Sequence, residues 1–166
     1  MTDRPTVLLF DVDGTLVRTG GAGTRALRAA FDLVHGAPDA ASGVDVRGNT
    51  DGSIVASALE GLGIDPCEAT VGRVLEAYLE ALAGEVAASP SYQVLPGVEA
   101  LLAGLEGSSA HALGLGTGNH VRGAGIKLAR GGLARFFDFG GYGSDSHHRP
   151  TLIRIGAERG AERLRK

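Results

Sequence analysis

The sequence has little cysteine, little lysine, no tryptophan and no long apolar run. A single cysteine, Cys67, excludes an internal disulfide and a zinc site built from several cysteines. This cysteine usage suits a reducing compartment, and we expect a cytoplasmic protein. No apolar run approaches the ~20 residues that a membrane-spanning helix needs, so we expect no membrane interaction. Because residues 1–4 lead straight into the first predicted strand, we expect no secretory signal.

The sequence also lacks an excess of charge of either sign. The 16 Lys and Arg residues and the 19 Asp and Glu residues give a formal net charge of -3 at pH 7. A nucleic-acid-binding surface requires a basic excess, so we expect no nucleic-acid partner. The contents of 43% hydrophobic and 21% charged residues are typical of a globular protein. A chain of 166 residues can bury one sizeable core together with a small second unit.

A short apolar run followed by two carboxylates is the most informative stretch. Residues 7–10 (VLLF) are typical of a strand that is buried on both faces of a parallel sheet. Asp11 and Asp13 follow directly, and Gly14 allows a tight turn behind them. Because ligands bind at the carboxyl ends of strands in open α/β sheets, we expect both carboxylates to lie in a site. One can act as a nucleophile and form an acyl-phosphate, and the other can give a proton to the leaving oxygen.

The run DVDGTLV at 11–17 resembles the first motif of the haloacid dehalogenase (HAD) superfamily, most of whose members are phosphatases. The resemblance implies that Asp11 is the nucleophile and a Mg²⁺ ligand. It also implies that Asp13 is the general acid and base, with its backbone carbonyl as a second metal ligand. We add Gly14 and Thr15, which complete the motif, to the predicted substrate-binding residues. The alternative is a plain Asp-Gly turn after a strand, and the motifs further along the chain argue against it.

A second stretch resembles the second motif of the superfamily. Thr117 follows an apolar strand predicted over 110–116 and precedes a helix, where that motif places a Ser or Thr that hydrogen-bonds the phosphoryl group. A hydroxyl and backbone N–H groups at a helix N-terminus form an anion site. We therefore predict that Thr117, Gly118 and Asn119 bind substrate. An ordinary helix cap by the threonine or asparagine is the alternative.

The third motif of the superfamily usually has a lysine before a proline. Arg149 stands before Pro150, 32 residues after Thr117, and occupies that place. Arginine supplies a permanent charge but a wider, bidentate fork, so it is not equivalent to lysine. We predict that Arg149 binds substrate, while another residue remains open as the replacement for the lysine. Lys127 lies about 12 Å along its predicted helix, which favours a surface position for it.

Residues 18–86 contain three helical patterns between two parts of an α/β pattern. This position resembles the helical cap that many HAD phosphatases insert after the first motif, where it excludes water and selects the substrate. We predict a HAD-type Rossmann-like α/β core with a parallel sheet at 1–17 and 87–166, and a helical cap at 18–86. Arg47 lies in a loop that resembles the substrate-facing loop of such caps, and we predict that it binds substrate. An exposed arginine beside a helix start is the equal alternative.

The fourth motif, a strand that ends in an acidic GDxxxD-type sequence and completes the Mg²⁺ site, has no counterpart in this sequence. In the usual strand order that strand lies beside the first, so residues 7–10 are expected to form an exposed apolar edge. A hard divalent ion takes about six oxygen ligands, so Asp11 and the Asp13 carbonyl alone would hold Mg²⁺ weakly. Two explanations stay open: a core left incomplete at the C-terminus by a shortened chain, or a second subunit, such as another copy, that covers the edge.

The function predicted from these motifs is a Mg²⁺-dependent phosphomonoester hydrolase that forms an aspartyl-phosphate on Asp11. Its substrate is expected to be a small phosphorylated metabolite, such as a phosphoglycolate-like ester. A 2-haloacid dehalogenase is one alternative, but it needs no proton donor two residues after the nucleophile, so Asp13 argues against it. A binding or regulatory remnant with impaired activity is the other alternative, and the missing fourth motif favours it.

Overall fold

Most of the apolar patterns become regular elements in the computed structural model, which describes residues 5–165. Residues 1–4 and 166 lie outside the described residues. They are the two ends of the predicted core, and residues 1–4 are those on which the expectation of no secretory signal rests. The helices are α1 (Ala22–His35), α2 (Asp51–Gly61), α3 (Glu68–Ala88), α4 (Val98–Leu105), α5 (Val121–Ala129) and α6 (Arg149–Arg163). The strands are β1 (Thr6–Phe10), β2 (Val17–Arg18), β3 (Gln93–Val94), β4 (His111–Thr117) and β5 (Gly140–Tyr142).

Parallel strands form the main sheet, in the order β1-β4-β5. β4 lies between the other two and pairs with β1 from His111, opposite Thr6, to Leu115, opposite Phe10. All three strands run in the same direction, so their carboxyl ends lie at one end of the sheet. This α/β arrangement confirms the predicted fold class. Among residues 5–165 no strand pairs with the outer side of β1, as expected for the apolar edge.

Helix α6 packs across all three strands of this sheet. Two glycines make the close approach possible, because a Cβ on Gly141 of β5 would overlap the Leu152 carbonyl of α6. A Cβ on Gly156 of α6 would lie 2.8 Å from the backbone nitrogen of Gly141. The contact fixes the N-terminus of α6, and with it Arg149, at the carboxyl end of the strands. No helix within residues 5–165 combines the length and the apolar character needed to cross a membrane.

The buried apolar side chains form two clusters. The first has its buried members between Ala22 and Val86, where α1, α2 and α3 pack on one another. We call these three helices the helical unit. The second cluster lies beside the main sheet and is built from β1, β4, α4, α5 and the segments around them. The division into a core at 1–17 and 87–166 and a cap at 18–86 accounts for both clusters and remains our proposal.

A short antiparallel ribbon lies where the chain leaves the sheet for the helical unit and where it returns. β2 pairs with β3 through Val17 opposite Val94 and Arg18 opposite Gln93. Close by, the Ser89 hydroxyl donates a hydrogen bond to the Thr19 carbonyl (2.8 Å). The two connections to the helical unit are therefore held together, a feature that the sequence patterns did not indicate.

Candidate active site

Asp11 is the first residue after β1, and its carboxylate is held from two sides. Oδ1 accepts a hydrogen bond from the backbone N–H of Val12 (2.8 Å), and Oδ2 accepts one from Nη2 of Arg149 (2.7 Å). The side chains of Asp11 and Arg149 are 34% and 36% exposed, so the ion pair is open on one side. Arg149 therefore lies at the carboxylate, in the position expected of a third-motif cation.

Asp13 is held by a different cation, which the sequence analysis placed wrongly. The Nζ atom of Lys127 lies 2.7 Å from Oδ2 of Asp13 and 2.5 Å from Oδ1 of Asn119. The side chain of Lys127 is only 6% exposed, so the predicted surface position is wrong. Side chains of a helix lean towards its N-terminus, so the lysine stem covers part of the distance to the start of α5, and the side chains of Asp13 and Asn119 cover the rest. The distance along the axis was therefore no obstacle.

The second predicted motif forms a hydrogen-bonded group at the end of β4. The buried Thr117 Oγ1 accepts hydrogen bonds from Nδ2 (2.8 Å) and the backbone N–H (3.3 Å) of Asn119. The same Nδ2 atom donates to Oδ2 of Asp13 (2.8 Å). Asn119 thus links the Asp13 carboxylate to Thr117 at the end of β4. Lys127 donates to both Asp13 and Asn119 and completes the hydrogen-bonded group.

The helical unit contacts this group through the loop before α2. Thr50 caps α2, because its hydroxyl oxygen accepts a hydrogen bond from the Ser53 N–H (3.2 Å). Asp51 contacts the core instead: its N–H donates to the Gly118 carbonyl (2.9 Å), and its Oδ2 accepts from the His120 N–H (2.8 Å) at the start of α5. Burial raises the pKa of the Asp51 carboxyl, and the neighbouring Lys127 ammonium opposes part of that increase.

A cavity of about 490 Å³ lies between the helical unit and the carboxyl ends of the strands. Of the predicted site residues, it is lined by Asp11, Asp13, Arg47, Thr117, Gly118, Asn119 and Arg149. Gly14 and Thr15 are exposed and are not among the lining residues; they shape the turn, in which the Gly14 N–H donates to the Val17 carbonyl (2.9 Å). Arg47 lies at the rim, with its side chain 91% exposed and paired with Asp45 (3.3 Å).

Comparisons with known proteins add information on the fold. No protein-family model matches the chain, and no curated protein sequence is significantly similar to it. Solved structures match along nearly its whole length. CbbY from Rhodobacter sphaeroides, solved with phosphate, is 21% identical with a TM-score of 0.69, over 94% of this chain and 72% of that one. A variant of CbbY has also been solved with xylulose-1,5-bisphosphate.

Two further solved structures have a similar fold. A haloacid dehalogenase-like hydrolase from Streptococcus pneumoniae is 19% identical with a TM-score of 0.56, over 96% of this chain and 71% of that one. The chain has the haloacid dehalogenase fold. A phosphoglycolate phosphatase-type structure from Lactobacillus plantarum is 16% identical with a TM-score of 0.58, over 95% and 72% of the two chains. The resemblance stated from the motifs is therefore confirmed at the level of the HAD fold.

Three residues that line the cavity were not predicted as site residues from the sequence. Tyr78 lies in the middle of α3 and Lys127 in the last turn of α5, where no motif marks them, and Asp51 was not predicted as a site residue. All three line the cavity. Only Lys127 offered a signal in the sequence. Had it been assigned to the inner face of α5, a charged partner would have been predicted for it, because lysines are rarely buried without one.

The donor groups at the cavity can be tested against the metal ion that the HAD fold implies. No group of three or more His, Cys, Asp or Glu side chains within residues 5–165 is arranged to hold a metal ion. Mg²⁺, however, is commonly held by one or two carboxylates together with waters and substrate phosphate oxygens. At the strand ends, Arg149 pairs with Asp11 and Lys127 pairs with Asp13, so these residues leave no unpaired positive charge for a phosphate dianion. The residues present therefore fit a Mg²⁺ ion that binds together with substrate.

Proposed function

We propose that the protein is a phosphomonoester hydrolase of the HAD type that acts on a small phosphorylated metabolite. The observation that carries the proposal is the convergence of Asp11, Asp13 and Thr117 on one cavity at the carboxyl ends of β1 and β4. The nucleophile, the proton carrier and the phosphoryl-binding hydroxyl of the motifs are then in reach of one ligand. The likeness in fold to CbbY, which has been solved with phosphate, supports the same class of ligand.

The first step is the transfer of the phosphoryl group to Asp11. A carboxylate oxygen of Asp11 attacks phosphorus, the bond from phosphorus to the ester oxygen breaks, and Asp13 gives a proton to the leaving alcohol. Arg149, now paired with Asp11 Oδ2, supplies positive charge at the transferring group. The Thr117 hydroxyl, whose oxygen accepts hydrogen bonds from Asn119, contributes a hydrogen-bond donor.

The second step is hydrolysis of the aspartyl-phosphate. Asp13 accepts a proton from water, the water oxygen attacks phosphorus, and the Asp11 carboxylate leaves as inorganic phosphate forms. The ammonium of Lys127 and the amide of Asn119 both donate to Oδ2 of Asp13, which fixes the carboxylate and leaves Oδ1 available. Lys127 therefore acts as a positioning residue for the proton carrier.

Mg²⁺ is the proposed cofactor, and the Asp11 carboxylate and the Asp13 carbonyl are its proposed ligands in this chain. When bound, the ion offsets the repulsion between the carboxylates and the phosphate dianion. We also propose a cytoplasmic enzyme that has neither a nucleic-acid nor a membrane partner, with the uncovered edge of β1 available to another subunit. Gly14, Thr15 and Arg47 remain proposed substrate contacts.

The test is turnover of an aryl phosphate by the purified chain, with and without Mg²⁺. We expect phosphate release that requires Mg²⁺ and that falls by at least about a thousandfold in Asp11→Asn, because the nucleophile is lost. Asp65→Asn, at an exposed carboxylate outside the cavity, is the matched control and is expected to keep full activity.

Two results would contradict the proposal in different ways. Absence of turnover in a well-folded preparation would favour the binding or regulatory remnant. Consumption of a 2-haloacid without metal, again lost in Asp11→Asn, would favour the dehalogenase.

A further inference from the structure

Tyr78, in the middle of α3, carries a hydroxyl group without a partner at the wall of the cavity. Its side chain is only 4% exposed and lines the cavity. The hydroxyl makes no hydrogen bond to any of the described residues. It lies close to Gly23, another lining residue, at which a Cβ would be 3.8 Å from the hydroxyl oxygen. The hydroxyl oxygen is open to the cavity, so it is available to a ligand that enters there.

The protonation state of Tyr78 defines what it can bind. Burial raises the pKa of its hydroxyl well above the usual value, and the carboxylates of Asp51 and Asp13 raise it further. The phenol is therefore neutral at physiological pH and can both donate and accept a hydrogen bond. Because a neutral phenol can bind either a neutral or an anionic group, the remaining wall of the cavity decides which of the two is preferred.

The remaining wall on the side of the helical unit is largely apolar, with Leu27, Pro38, Val46, Ile54 and Val55. The cations on this side already have partners in the chain: Arg28 pairs with Asp39, and Arg47 pairs with Asp45. The other charged lining group of the helical unit is Asp51, a carboxyl. A carboxylate or a second phosphate on the leaving group would thus have to compete with Asp39 for Arg28 or with Asp45 for Arg47.

We propose that the helical unit selects phosphate esters of neutral, largely apolar alcohols, and that the Tyr78 hydroxyl hydrogen-bonds one polar group of that alcohol. This inference rests on the proposed phosphatase function and names its substrate class. The proposed class does not include phosphoglycolate or sugar bisphosphates, because the leaving groups of these compounds carry a further negative charge.

The test compares esters that differ at one end only: hexyl phosphate, its ω-hydroxy analogue and its ω-carboxy analogue, with phosphoglycolate beside them. We expect the highest kcat/KM for the ω-hydroxy ester. The value for the ω-carboxy ester is expected to be at least about tenfold lower, because its charge would lie against a largely apolar wall and would have to displace Asp39 or Asp45 to gain a cation.

Two substitutions and one control assign the effect to named groups. Tyr78→Phe removes only the hydroxyl, and we expect it to lower kcat/KM for the ω-hydroxy ester about three- to tenfold and to leave hexyl phosphate unchanged. Tyr142→Phe changes a partly buried tyrosine outside the cavity and is expected to alter neither value. Thr24→Lys adds a cation at an exposed lining position and is expected to raise kcat/KM for the ω-carboxy ester.

The outcomes distinguish this inference from the function on which it rests. A preference of the unaltered chain for the ω-carboxy ester or for phosphoglycolate would overturn the inference and leave the phosphatase function intact. Equal losses on hexyl phosphate and its ω-hydroxy analogue in Tyr78→Phe would do the same. If the folded chain hydrolyses none of the esters, the proposed function is wrong and the inference falls with it.

Discussion

At the scale of single residues, the two carboxylates after β1 differ in the cation that holds them. Arg149 contacts Asp11 at a site that is one-third exposed, whereas Lys127 is almost fully buried and contacts Asp13 from inside the protein. A guanidinium that is open on one side can also bind a phosphate oxygen. A buried ammonium with two fixed acceptors cannot move, so it holds the proton carrier in place.

The substitution Lys127→Met tests this positioning role. Methionine keeps most of the buried volume and removes the charge, so we expect kcat to fall about 10- to 100-fold with little change in KM. The measurement is steady-state hydrolysis of an aryl phosphate over a range of pH, because a displaced Asp13 would also change the pH profile. Arg122→Met, on the exposed side of the same helix, is the control and is expected to keep wild-type kinetics. A pH profile identical to wild type in Lys127→Met would argue against positioning.

The sequence predicted those site residues that stand next to one another along the chain. Asp11 and Asp13 come just after β1, Thr117 ends β4 and Asn119 follows it, so the motif alone places them at one end of the sheet. Lys127 could not be placed in the same way, because its position depends on which face of α5 the protein buries. That face is decided by packing against α3 and the sheet, which no local pattern reports.

At the scale of elements, the loop before α2 and the loop after β4 contact each other at the level of the backbone. The Asp51 N–H donates to the Gly118 carbonyl, and a Cβ on Gly118 would collide with the Asn49 carbonyl oxygen. Neither loop can accept a larger residue at this point without moving apart from the other. The contact therefore couples the helical unit to the residues that form the anion site.

Gly118→Ala is expected to separate the two loops. The added Cβ meets backbone rather than a flexible side chain, so we expect a loss of about 1–3 kcal/mol in the free energy of unfolding. Activity is expected to fall as well, because Thr117 and Asn119 flank the altered position. Gly125→Ala, within α5 where a Cβ meets nothing, is the matched control and is expected to stabilise by about 0.5–1 kcal/mol. Denaturant unfolding of the three proteins measures both effects.

The contact between the loop before α2 and the loop after β4 is sensitive to pH through the Asp51 carboxyl. Its pKa is raised in the folded protein, chiefly by burial, so the stability it contributes is present at low pH and is lost as the pH rises through the folded pKa. Asp51→Asn keeps an oxygen that can accept from the His120 N–H and removes the charge. We expect Asp51→Asn to be more stable than wild type at pH 8, with the difference closing as the pH falls towards about 4.

Urea unfolding at a series of pH values measures this difference. Asp65→Asn, at an exposed carboxylate, is expected to show no comparable trend with pH. Lower stability of Asp51→Asn at pH 8 would mean that the attraction between Asp51 and Lys127 outweighs the cost of burial.

Helical periodicity predicted the helices of the helical unit well, because each of them buries one face against the others. The ribbon of β2 and β3 was missed, since strands of two residues show no alternation that a sequence pattern could reveal. β5 is almost as difficult: it consists of two glycines and a tyrosine, and its place in the sheet follows from pairing with β4 and from the close approach of α6.

At the scale of the whole molecule, the site lies between two hydrophobic clusters. One wall comes from the sheet and the other from the helical unit, and the β2–β3 ribbon ties the two connections together. A site at such a boundary changes shape when either part moves. The chemistry is therefore expected to depend on how the two parts are held, as well as on the residues at the sheet.

The outer edge of β1 is the whole-molecule feature with the most direct consequence in solution. Its apolar residues, VLLF, precede Asp11, and no strand within residues 5–165 covers their unpaired backbone groups. An uncovered apolar edge is a template for pairing with another chain, so we expect the 166-residue chain to self-associate. Light scattering is expected to show a mass that rises above the 16.9 kDa of one chain as the concentration increases over about 1–100 µM. A constant mass of one chain over that range would show that the edge is protected, and the case for a covering subunit would then be lost.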